Sequence, residues 1–251
     1  MGHAALVTGG ARRIGRAIVE RLAGAGYAVA IHCNRSLAPG QDLAREIEAR
    51  GGRAAVLQAD LADAAAVAGL MESAGQALGP VTLLVNNASE FQPDDVETLG
   101  EAQWDRHFAV NLRAPAFLSR DFARLLPDEL AGSIVNIVDQ RVLKLTPQFF
   151  SYTLTKAALF AATRTMAQAL APRIRVNAVG PGPTLTNTRQ GDEDFAKQSA
   201  AVLLKRGPTP AEIADAVLFL ARSPSITGQM IAVDGGQHLA WETPDVVGIN
   251  E

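Results

Sequence analysis

Short, nearly continuous apolar runs recur along the chain, and longer stretches with helically spaced apolar residues separate them. Runs of this kind are typical of parallel β-strands that are covered on both faces. The predicted strands are residues 4–8, 28–32, 54–60, 81–86, 133–138, 173–179 and 229–234.

The helical intervals lie near residues 13–25, 40–50, 63–78, 101–125, 151–171 and 210–221. Strands that alternate with helices are joined by right-handed crossovers and form an open parallel sheet. The predicted fold class is therefore α/β, a Rossmann-type doubly wound parallel sheet of about seven strands with helices on both faces. No linker or internal repeat divides the chain, so we expect a single domain over residues 1–251.

One segment interrupts the alternation of strands and helices. Residues 181–209 begin PGPTLTNTRQGDEDF and are polar and rich in turn-forming residues. The segment follows the C-terminal end of a predicted strand, where open α/β sheets bind ligands. We therefore interpret it as a substrate lid, with a mobile surface loop as the alternative.

Composition narrows the classes of function. The 251 residues are 48% hydrophobic and 20% charged, as in ordinary globular proteins. A net charge of -3 gives no electrostatic reason to bind nucleic acid or an anionic membrane. Cys33 is the only cysteine, so an internal disulfide is impossible. Since we find no basic leader and no apolar run of about eighteen residues, we expect a cytoplasmic protein.

The first predicted strand runs into a glycine-rich turn, TGGARRIG. Gly9, Gly10 and Gly15 allow a tight turn and close approach to a phosphate, and the next helix directs its N–H groups to the same point. A turn between the first strand and a helix indicates a pyrophosphate site. A plain strand–helix turn is the alternative.

The end of the second strand distinguishes between the two nicotinamide cofactors. A free ribose 2′-hydroxyl is usually met there by Asp or Glu, but this chain has HCNRS and no acid. Arg35 can pair with a 2′-phosphate, while Asn34 and Ser36 can hydrogen-bond its oxygens. The segment therefore favours NADPH over NADH, unless Arg35 is only a solvated surface charge.

Five motifs follow one another in order: TGGARRIG at 8–15, ADL at 59–61, NNAS at 86–89, YTLTK at 152–156 and PG at 181–182. Together they resemble the short-chain dehydrogenase/reductase family over essentially the whole chain. The resemblance implies catalytic roles for Asn111, Tyr152 and Lys156. It also implies cofactor contacts, with Asp60 on the adenine, from Gly9, Arg13, Ile14, Gly15, Leu61, Asn87, Ala88, Ser89, Tyr152, Lys156, Pro181 and Gly182.

Two residues depart from the pattern of that family. Arg13 stands where the family has glycine, and Asp139 stands at the position of its catalytic serine. Both departures, together with an H-x-x-R-S segment, are similar to the pteridine reductase branch and its bacterial relatives of the dihydromonapterin reductase type. That branch also has an aromatic residue shortly after NNAS, as Phe91 is here.

Asp139 ends an apolar strand thirteen residues before Tyr152, and Tyr152 and Lys156 are one helical turn apart. We expect the Lys156 ammonium to lower the pKa of Tyr152 and also to orient the nicotinamide ribose. Apolar surroundings should raise the pKa of Asp139, so that the carboxyl group can supply a proton to a ring nitrogen. We therefore predict that Asp139 and Tyr152 act as one proton-relay pair. A helix cap or a surface carboxylate is the alternative for Asp139.

The predicted substrate contacts are Arg13, Ser89 and Phe91, in addition to Asp139 and Tyr152. Phe91 would stack a pterin ring against the nicotinamide, and its alternative role is core packing. His3, His107 and His238 lack the spacing of metal ligands, so no metal is predicted.

The leading hypothesis is an NADPH-dependent reductase that converts a dihydropterin, dihydromonapterin or dihydrofolate to the tetrahydro form. A general short-chain carbonyl or enoyl reductase and a non-catalytic NADPH-binding regulatory protein remain as alternatives. The resemblance implies a homotetramer, but the sequence leaves dimer and tetramer open. The role of Trp241 in the C-terminal tail is also open.

Overall fold

The computed structural model describes residues 3–186, 191–243 and 245–248. A seven-stranded sheet in the order β3-β2-β1-β4-β5-β6-β7 has every neighbouring pair parallel. The predicted Rossmann-type sheet is thus confirmed. The strands are β1 (Ala4–Val7), β2 (Ala28–Cys33), β3 (Ala54–Gln58), β4 (Val81–Asn86), β5 (Gly132–Ile137), β6 (Ile174–Pro181) and β7 (Met230–Val233).

Helices connect the strands and cover both faces of the sheet. They are α1 (Arg13–Gly24), α2 (Leu37–Ala49), α3 (Ala64–Ala68), α4 (Leu70–Leu78), α5 (Glu101–Phe108), α6 (Ala114–Leu125), α7 (Phe150–Leu170), α8 (Asp192–Ala201) and α9 (Pro210–Arg222).

Several boundaries differ from the sequence prediction. The helix predicted at 63–78 divides at Gly69, whose lack of a side chain weakens helix continuity. The helix predicted at 101–125 is interrupted by a π-helical turn, Ala109–Arg113. The segment at 181–209 is not a plain loop, because β6 extends to Pro181 and α8 forms within it. Residues 187–190 of that segment lie outside the described residues.

The hydrophobic core lies in two layers, one on each face of the sheet. Within β1, Ala5 and Val7 face one layer while Ala4 and Leu6 face the other, because successive side chains of a strand point to opposite faces. All four are fully buried. This two-sided burial explains why the strands read as continuous apolar runs rather than as alternating patterns.

The order of the strands reverses between β1 and β4, which are neighbours although two strands separate them along the chain. Ligands of open α/β sheets bind at the carboxyl ends of the strands beside such a reversal. The glycine-rich turn follows β1 and the NNAS motif follows β4, so both lie at this point. Within the described residues, no helix has the length and hydropathy needed to cross a bilayer.

Candidate active site

The glycine-rich turn between β1 and α1 has a backbone that few side chains tolerate. Gly9 has φ +63°, and a Cβ on Gly15 would lie 2.0 Å from the carbonyl oxygen of Gly9. Arg13 adopts φ 53°, the left-handed region that favours glycine. The turn therefore keeps a glycine-like backbone at Arg13, where the resemblance leads one to expect glycine. Because α1 begins without a side-chain cap, its first N–H groups remain available to a pyrophosphate.

The side chain of Arg13 leaves the turn and reaches the segment after β6. Its two terminal nitrogens donate to the carbonyl oxygens of Thr186, at 2.7 Å, and Leu185, at 3.3 Å. Arg13 lines the cavity beside the glycine turn and also the cavity beside Asp139. Arg13 thus borders both cavities and also contacts the segment after β6, while its contacts with cofactor and substrate stay a prediction.

His32 holds the glycine turn from below, a role that the sequence analysis did not assign. The backbone N–H of Gly9 donates to Nδ1 of His32 at 3.1 Å, so Nε2 carries the proton and donates to the carbonyl oxygen of Ala59 at 3.1 Å. Burial lowers the pKa of His32, which favours the neutral ring that this arrangement requires.

Asn34, Arg35 and Ser36 lie together at the end of β2 and line a cavity of about 570 Å³. The same cavity includes Arg106, which the sequence analysis missed. Arg106 donates from Nε to Glu90 at 3.0 Å and lies 3.4 Å from Oδ2 of Asp60.

Asp60, the predicted adenine partner, lies at the end of β3 beside Arg106. Its Oδ1 accepts the N–H of Ala62 at 2.9 Å. That hydrogen bond, helped by Arg106, lowers the pKa of Asp60 despite its partial burial. Asp60 is therefore held as an ionised acceptor at the entrance of the neighbouring cavity.

That neighbouring cavity, of about 380 Å³, adjoins the glycine turn and the end of β4. Asn87 joins the two, since its Nδ2 donates to the carbonyl oxygens of Thr8 at 2.8 Å and Gly9 at 3.2 Å. The backbone N–H groups of Asn87 and Ala88 donate to Oγ1 of Thr8. Ten predicted cofactor residues line this cavity: Gly9, Arg13, Ile14, Gly15, Asn34, Asp60, Leu61, Asn87, Ala88 and Ser89.

Asn111 lies in the π-helical turn and is completely buried. Its side chain accepts from the N–H of Glu90 at 2.8 Å and donates to the carbonyl oxygen of Glu90 at 2.9 Å. Nδ2 also lies 3.2 Å from Oγ1 of Thr155 on α7. These contacts tie the segment after β4 to α7. The Asn111 side chain supports the site from behind.

Asp139, Tyr152 and Lys156 meet beside the largest of these cavities, of about 660 Å³. The Tyr152 hydroxyl donates to Oδ2 of Asp139 at 2.9 Å. The Lys156 ammonium donates to the carbonyl oxygen of Ile137 at 2.9 Å. The Asp139 side chain is 19% exposed, and it also accepts the N–H of Arg141 as the first residue of a short 3₁₀ turn, Gln140–Val142. One carboxyl group therefore both caps the short turn and accepts the Tyr152 hydroxyl, while the relay role stays a prediction.

The sequence analysis expected a lowered pKa for Tyr152, and this direction is wrong. Burial and the neighbouring Asp139 carboxylate raise the pKa of Tyr152 well above its ordinary value. Burial also raises the pKa of Asp139, as predicted, and lowers the pKa of Lys156 to about 8. Desolvation of the phenol and the adjacent Asp139 outweigh the opposing effects of the Arg141 charge and the Ser89 hydrogen bond on the pKa of Tyr152.

An aromatic wall borders the same cavity. The ring of Phe91 stacks on that of Phe149 with centroids 4.3 Å apart and meets Tyr152 edge-on at 4.6 Å. Phe149 has φ 56°, the left-handed region, and directly precedes α7. One face of Phe91 is thus covered by Phe149, a residue that the sequence analysis did not identify.

A buried polar chain lies behind this wall. The N–H of Gln92 donates to Nε2 of His107 at 3.1 Å, so Nδ1 carries the proton and donates to Oγ of Ser151 at 2.6 Å. The Ser151 hydroxyl in turn donates to Asp94. The chain fixes the segment that carries Phe91 to the residue before Tyr152. His107 lies one turn before Asn111 in sequence, a spacing that was available as a signal.

Described residues of the 181–209 segment also border the large cavity. They include Pro181 and Gly182, which were predicted to bind the cofactor, and Asp194, Phe195 and Gln198 of α8. A Cβ on Gly182 would lie 2.6 Å from Cα of Asp234, so β6 and β7 approach closely here. No group of three or more His, Cys, Asp or Glu in the described part of the chain is arranged to hold a metal ion.

Comparisons with known proteins agree with this geometry. A family model described as Enoyl-(Acyl carrier protein) reductase matches residues 9–238. The crystal structure of FolM Alternative dihydrofolate reductase 1 from Brucella canis, complexed with NADP, is 58% identical with a TM-score of 0.95. That match covers 98% of this chain and 97% of the other.

Two curated relatives extend the comparison. Pteridine reductase 1 of Leishmania tarentolae is 35% identical and covers 94% of this chain and 96% of its own. The 3-oxoacyl-[acyl-carrier-protein] reductase FabG of Staphylococcus epidermidis is 32% identical and covers 95% and 100%. With a family model across most of its length, the motifs in place and relatives of this similarity, the chain belongs to the short-chain dehydrogenase/reductase family of oxidoreductases.

Proposed function

We propose that this chain is a single-domain, NADPH-dependent reductase of pterins or folates that converts a dihydropterin, dihydromonapterin or dihydrofolate to its tetrahydro form. The observation that carries the proposal is the 2.9 Å hydrogen bond between Tyr152 and Asp139 at the base of the large cavity. The resemblance of the chain to a dihydrofolate reductase at 58% identity and to a pteridine reductase supports the substrate class.

The residues present fit NADPH. The turn around Gly9 has no room for a Cβ on Gly15, which is the shape that a close pyrophosphate requires. Arg35 and Ser36 border the adjoining cavity with no carboxylate at the end of β2, as a 2′-phosphate requires. Asp60 is placed to accept from adenine, and Lys156 to hold the ribose near Tyr152. When bound, NADPH supplies the hydride.

The protein supplies the proton. Reduction of a C=N bond places a hydride on carbon and one proton on nitrogen, and the proton comes from the Asp139–Tyr152 pair. Because burial raises the pKa of both groups, the pair holds its proton to higher pH than either group would in water. The two groups are in contact and titrate together, so the proton belongs to the pair. Solvent restores it after each turnover through the partly exposed Asp139 carboxyl.

The walls of the cavity suit a flat, polar ring. The aromatic ring of Phe91 borders the cavity and suits stacking with a flat ring, and Ser89 and Arg13 offer donors to the acceptor atoms of a pterin. The lid role of residues 181–209 fits the hydrogen bonds from Arg13 to Leu185 and Thr186, which connect the glycine turn to that segment.

A general carbonyl reductase is the second candidate, favoured by the 32% identity to FabG and by the description of the family model. In that case a carbonyl oxygen would take the proton from Tyr152, and Asp139 would be incidental. The candidates differ in whether turnover requires Asp139.

The deciding experiment is NADPH oxidation assayed in parallel with dihydrobiopterin, dihydromonapterin, dihydrofolate and a simple ketone. We expect catalytic efficiency with at least one dihydropterin or dihydrofolate to exceed that with the ketone by about 100-fold or more, since a matched site gains several kcal/mol in the transition state. Equal or greater efficiency with the ketone would reject the proposal in favour of the carbonyl reductase. NADPH binding without turnover of any substrate would favour a regulatory protein.

For the assembly and location we propose a cytoplasmic homotetramer. Small residues recur along α7, which permits close approach of a second subunit. Sedimentation equilibrium tests the assembly, and a mass of four chains is the expected result.

A further inference from the structure

Arg141 follows the proposed acid by two residues and holds one of its oxygens. Its backbone N–H donates to Oδ1 of Asp139 at 2.8 Å, and its Nε lies 4.0 Å from the same oxygen. The Arg141 side chain is only 16% exposed. With Oδ1 occupied in this way, Oδ2 is directed to the Tyr152 hydroxyl.

The far end of the same side chain supports the aromatic wall. Nη1 of Arg141 donates to Oγ1 of Thr146 at 2.9 Å, and the guanidinium carbon lies 4.8 Å from the ring centroid of Phe149. Phe149 is therefore held between the guanidinium and Phe91, and such cation–π and ring stacks fix a ring in orientation. Arg141 thus contacts both the proton donor and the support of the stacking wall.

We propose that Arg141 is a positioning residue for proton delivery: it fixes the carboxyl group of Asp139 and keeps Phe149 against Phe91, so that donor and wall form one rigid unit. The inference rests on the proposed function and deepens it, because it names the residue that aligns the proton with the plane of the bound ring. None of the sequence motifs includes Arg141.

The charge of Arg141 acts on the same pair. Burial raises the pKa of Asp139, while the N–H and the charge of Arg141 oppose that rise, as does Lys156. The charge of Arg141 also opposes the rise in the pKa of Tyr152. The charged or titratable groups that border the pair from the surrounding elements are Arg13 after β1, His107 of α5, Lys156 of α7 and Asp194 of α8. Arg141 is the cation nearest to Asp139 in sequence, and its guanidinium can be removed while its backbone hydrogen bond stays.

The test compares Arg141→Met, which removes the charge but keeps an apolar stem, with Arg141→Lys, which keeps the charge. In kinetics with the preferred dihydropterin, Arg141→Met should shift the alkaline limb of kcat upward by about half to one pH unit and raise KM about tenfold. Arg141→Lys should restore the pH midpoint but not KM, because an ammonium lacks the flat face that covers Phe149. A purely structural role would change stability without moving the midpoint.

A second readout needs no substrate. The chain has 2 tyrosines, so a Tyr27→Phe background leaves Tyr152 as the single tyrosine signal. The ¹³Cζ resonance of Tyr152 reports the ionisation of Asp139 through their hydrogen bond. Its midpoint should move upward in Arg141→Met, and also in the shorter, polar Arg141→Gln, which guards against a folding defect in one variant.

The outcomes separate the two proposals. An unmoved midpoint in both neutral variants overturns the role of Arg141 and leaves the reductase proposal standing. A shifted midpoint in an enzyme that reduces no pterin or folate supports the role of Arg141 and rejects the proposed substrate class.

Discussion

Tyr152 donates its hydroxyl proton to Oδ2 of Asp139 across 2.9 Å, at the end of β5 and the start of α7. Burial raises the pKa of both groups; Asp139 raises the pKa of Tyr152 further, whereas the hydrogen bond from Tyr152 opposes the rise in the pKa of Asp139. In the proposed mechanism the two residues, thirteen positions apart in the sequence, act as one acid. Five experiments follow from this contact and from the elements around it.

Replacing Asp139 with Ser should remove half of the proton-donating pair. We expect kcat for a dihydropterin to fall by about 10²- to 10⁴-fold, the usual contribution of a general acid, while the Kd for NADPH stays within about twofold. Stopped-flow reduction and fluorescence titration of NADPH measure the two quantities. Asp128→Ser, on an exposed loop, is the matched control. Undiminished turnover in Asp139→Ser would defeat the proposed role.

Asp139 should also reduce the stability of the folded protein at neutral and alkaline pH. Its folded-state pKa lies above the ordinary 3.8, so the unfolded chain ionises first, and stability falls as pH rises from that value to the folded-state pKa. Asn cannot ionise, so Asp139→Asn should exceed the wild type in free energy of unfolding at pH 8. The free energy of unfolding should rise by about 1.4 kcal/mol for each pH unit by which the folded-state pKa of Asp139 exceeds its ordinary value. Urea denaturation from pH 4 to 8 measures it, and a difference that does not grow with pH contradicts the prediction.

Arg35→Ala should reduce the preference for NADPH over NADH. A 2′-phosphate would lose its charge-assisted hydrogen bonds, each worth about 1.5–3 kcal/mol, so KM for NADPH should rise about tenfold or more while KM for NADH barely changes. Arg45→Ala removes an equally exposed arginine from α2 and should leave both values unaltered. An equal rise in KM for NADPH and NADH would show that Arg35 does not bind the 2′-phosphate.

Gly15 and Gly24 lie at opposite ends of α1 and should respond differently to alanine. A Cβ on Gly15 would lie 2.0 Å from the carbonyl oxygen of Gly9, so Gly15→Ala should abolish NADPH binding. A Cβ on Gly24 meets nothing within 4 Å among the described residues. Gly24→Ala should raise the free energy of unfolding by about 0.5–1 kcal/mol. Calorimetric titration and thermal unfolding distinguish the two, and tight binding by Gly15→Ala would contradict the close approach.

Ser151 and Thr153 both carry buried hydroxyl groups, and removing them should have different effects on stability. Ser151→Ala leaves the Nδ1 proton of His107 and an oxygen of Asp94 without their partner, at a cost of about 1–3 kcal/mol. It should also raise KM for the pterin, because the segment that carries Phe91 loses its tie to α7. Thr153 Oγ1 finds no partner in the described structure, so Thr153→Val should be neutral or stabilising. An unchanged KM in Ser151→Ala would show that Ser151 does not hold the segment that carries Phe91 in place.

The strands could be identified from the sequence because both faces of the sheet are covered. A strand that is buried on both faces has apolar residues at successive positions, which form a continuous run. The sequence located the glycine turn through Gly9 and Gly15, whose backbone demands are local. It missed the break at Gly69 and the π-helical turn around Asn111, since helix continuity there depends on packing rather than on spacing. It also missed α8, in which no residue is buried. An exposed helix carries little periodic signal.

The residues of the candidate site were likewise predicted only in part. Asp139, Tyr152 and Lys156 stand in recognisable positions, and their spacing predicted that they would meet. The direction of the Tyr152 pKa did not follow, because a pKa depends on the water removed from both groups and on every charge around them. Arg141, Phe149 and His107 belong to none of the five motifs, and their contacts are set by the folded path of the chain around the cavity.

By itself, then, the sequence determined the succession of strands and helices along the chain and the position of the glycine-rich turn, and it supplied the side chains that we propose to react. These are consequences of local spacing and of residue type. Only the tertiary structure decided which groups share a hydrogen bond, which ring stacks on Phe91 and in which direction the pKa of Tyr152 moves. Those properties depend on distance and desolvation, and both are set when separate segments of the chain come together.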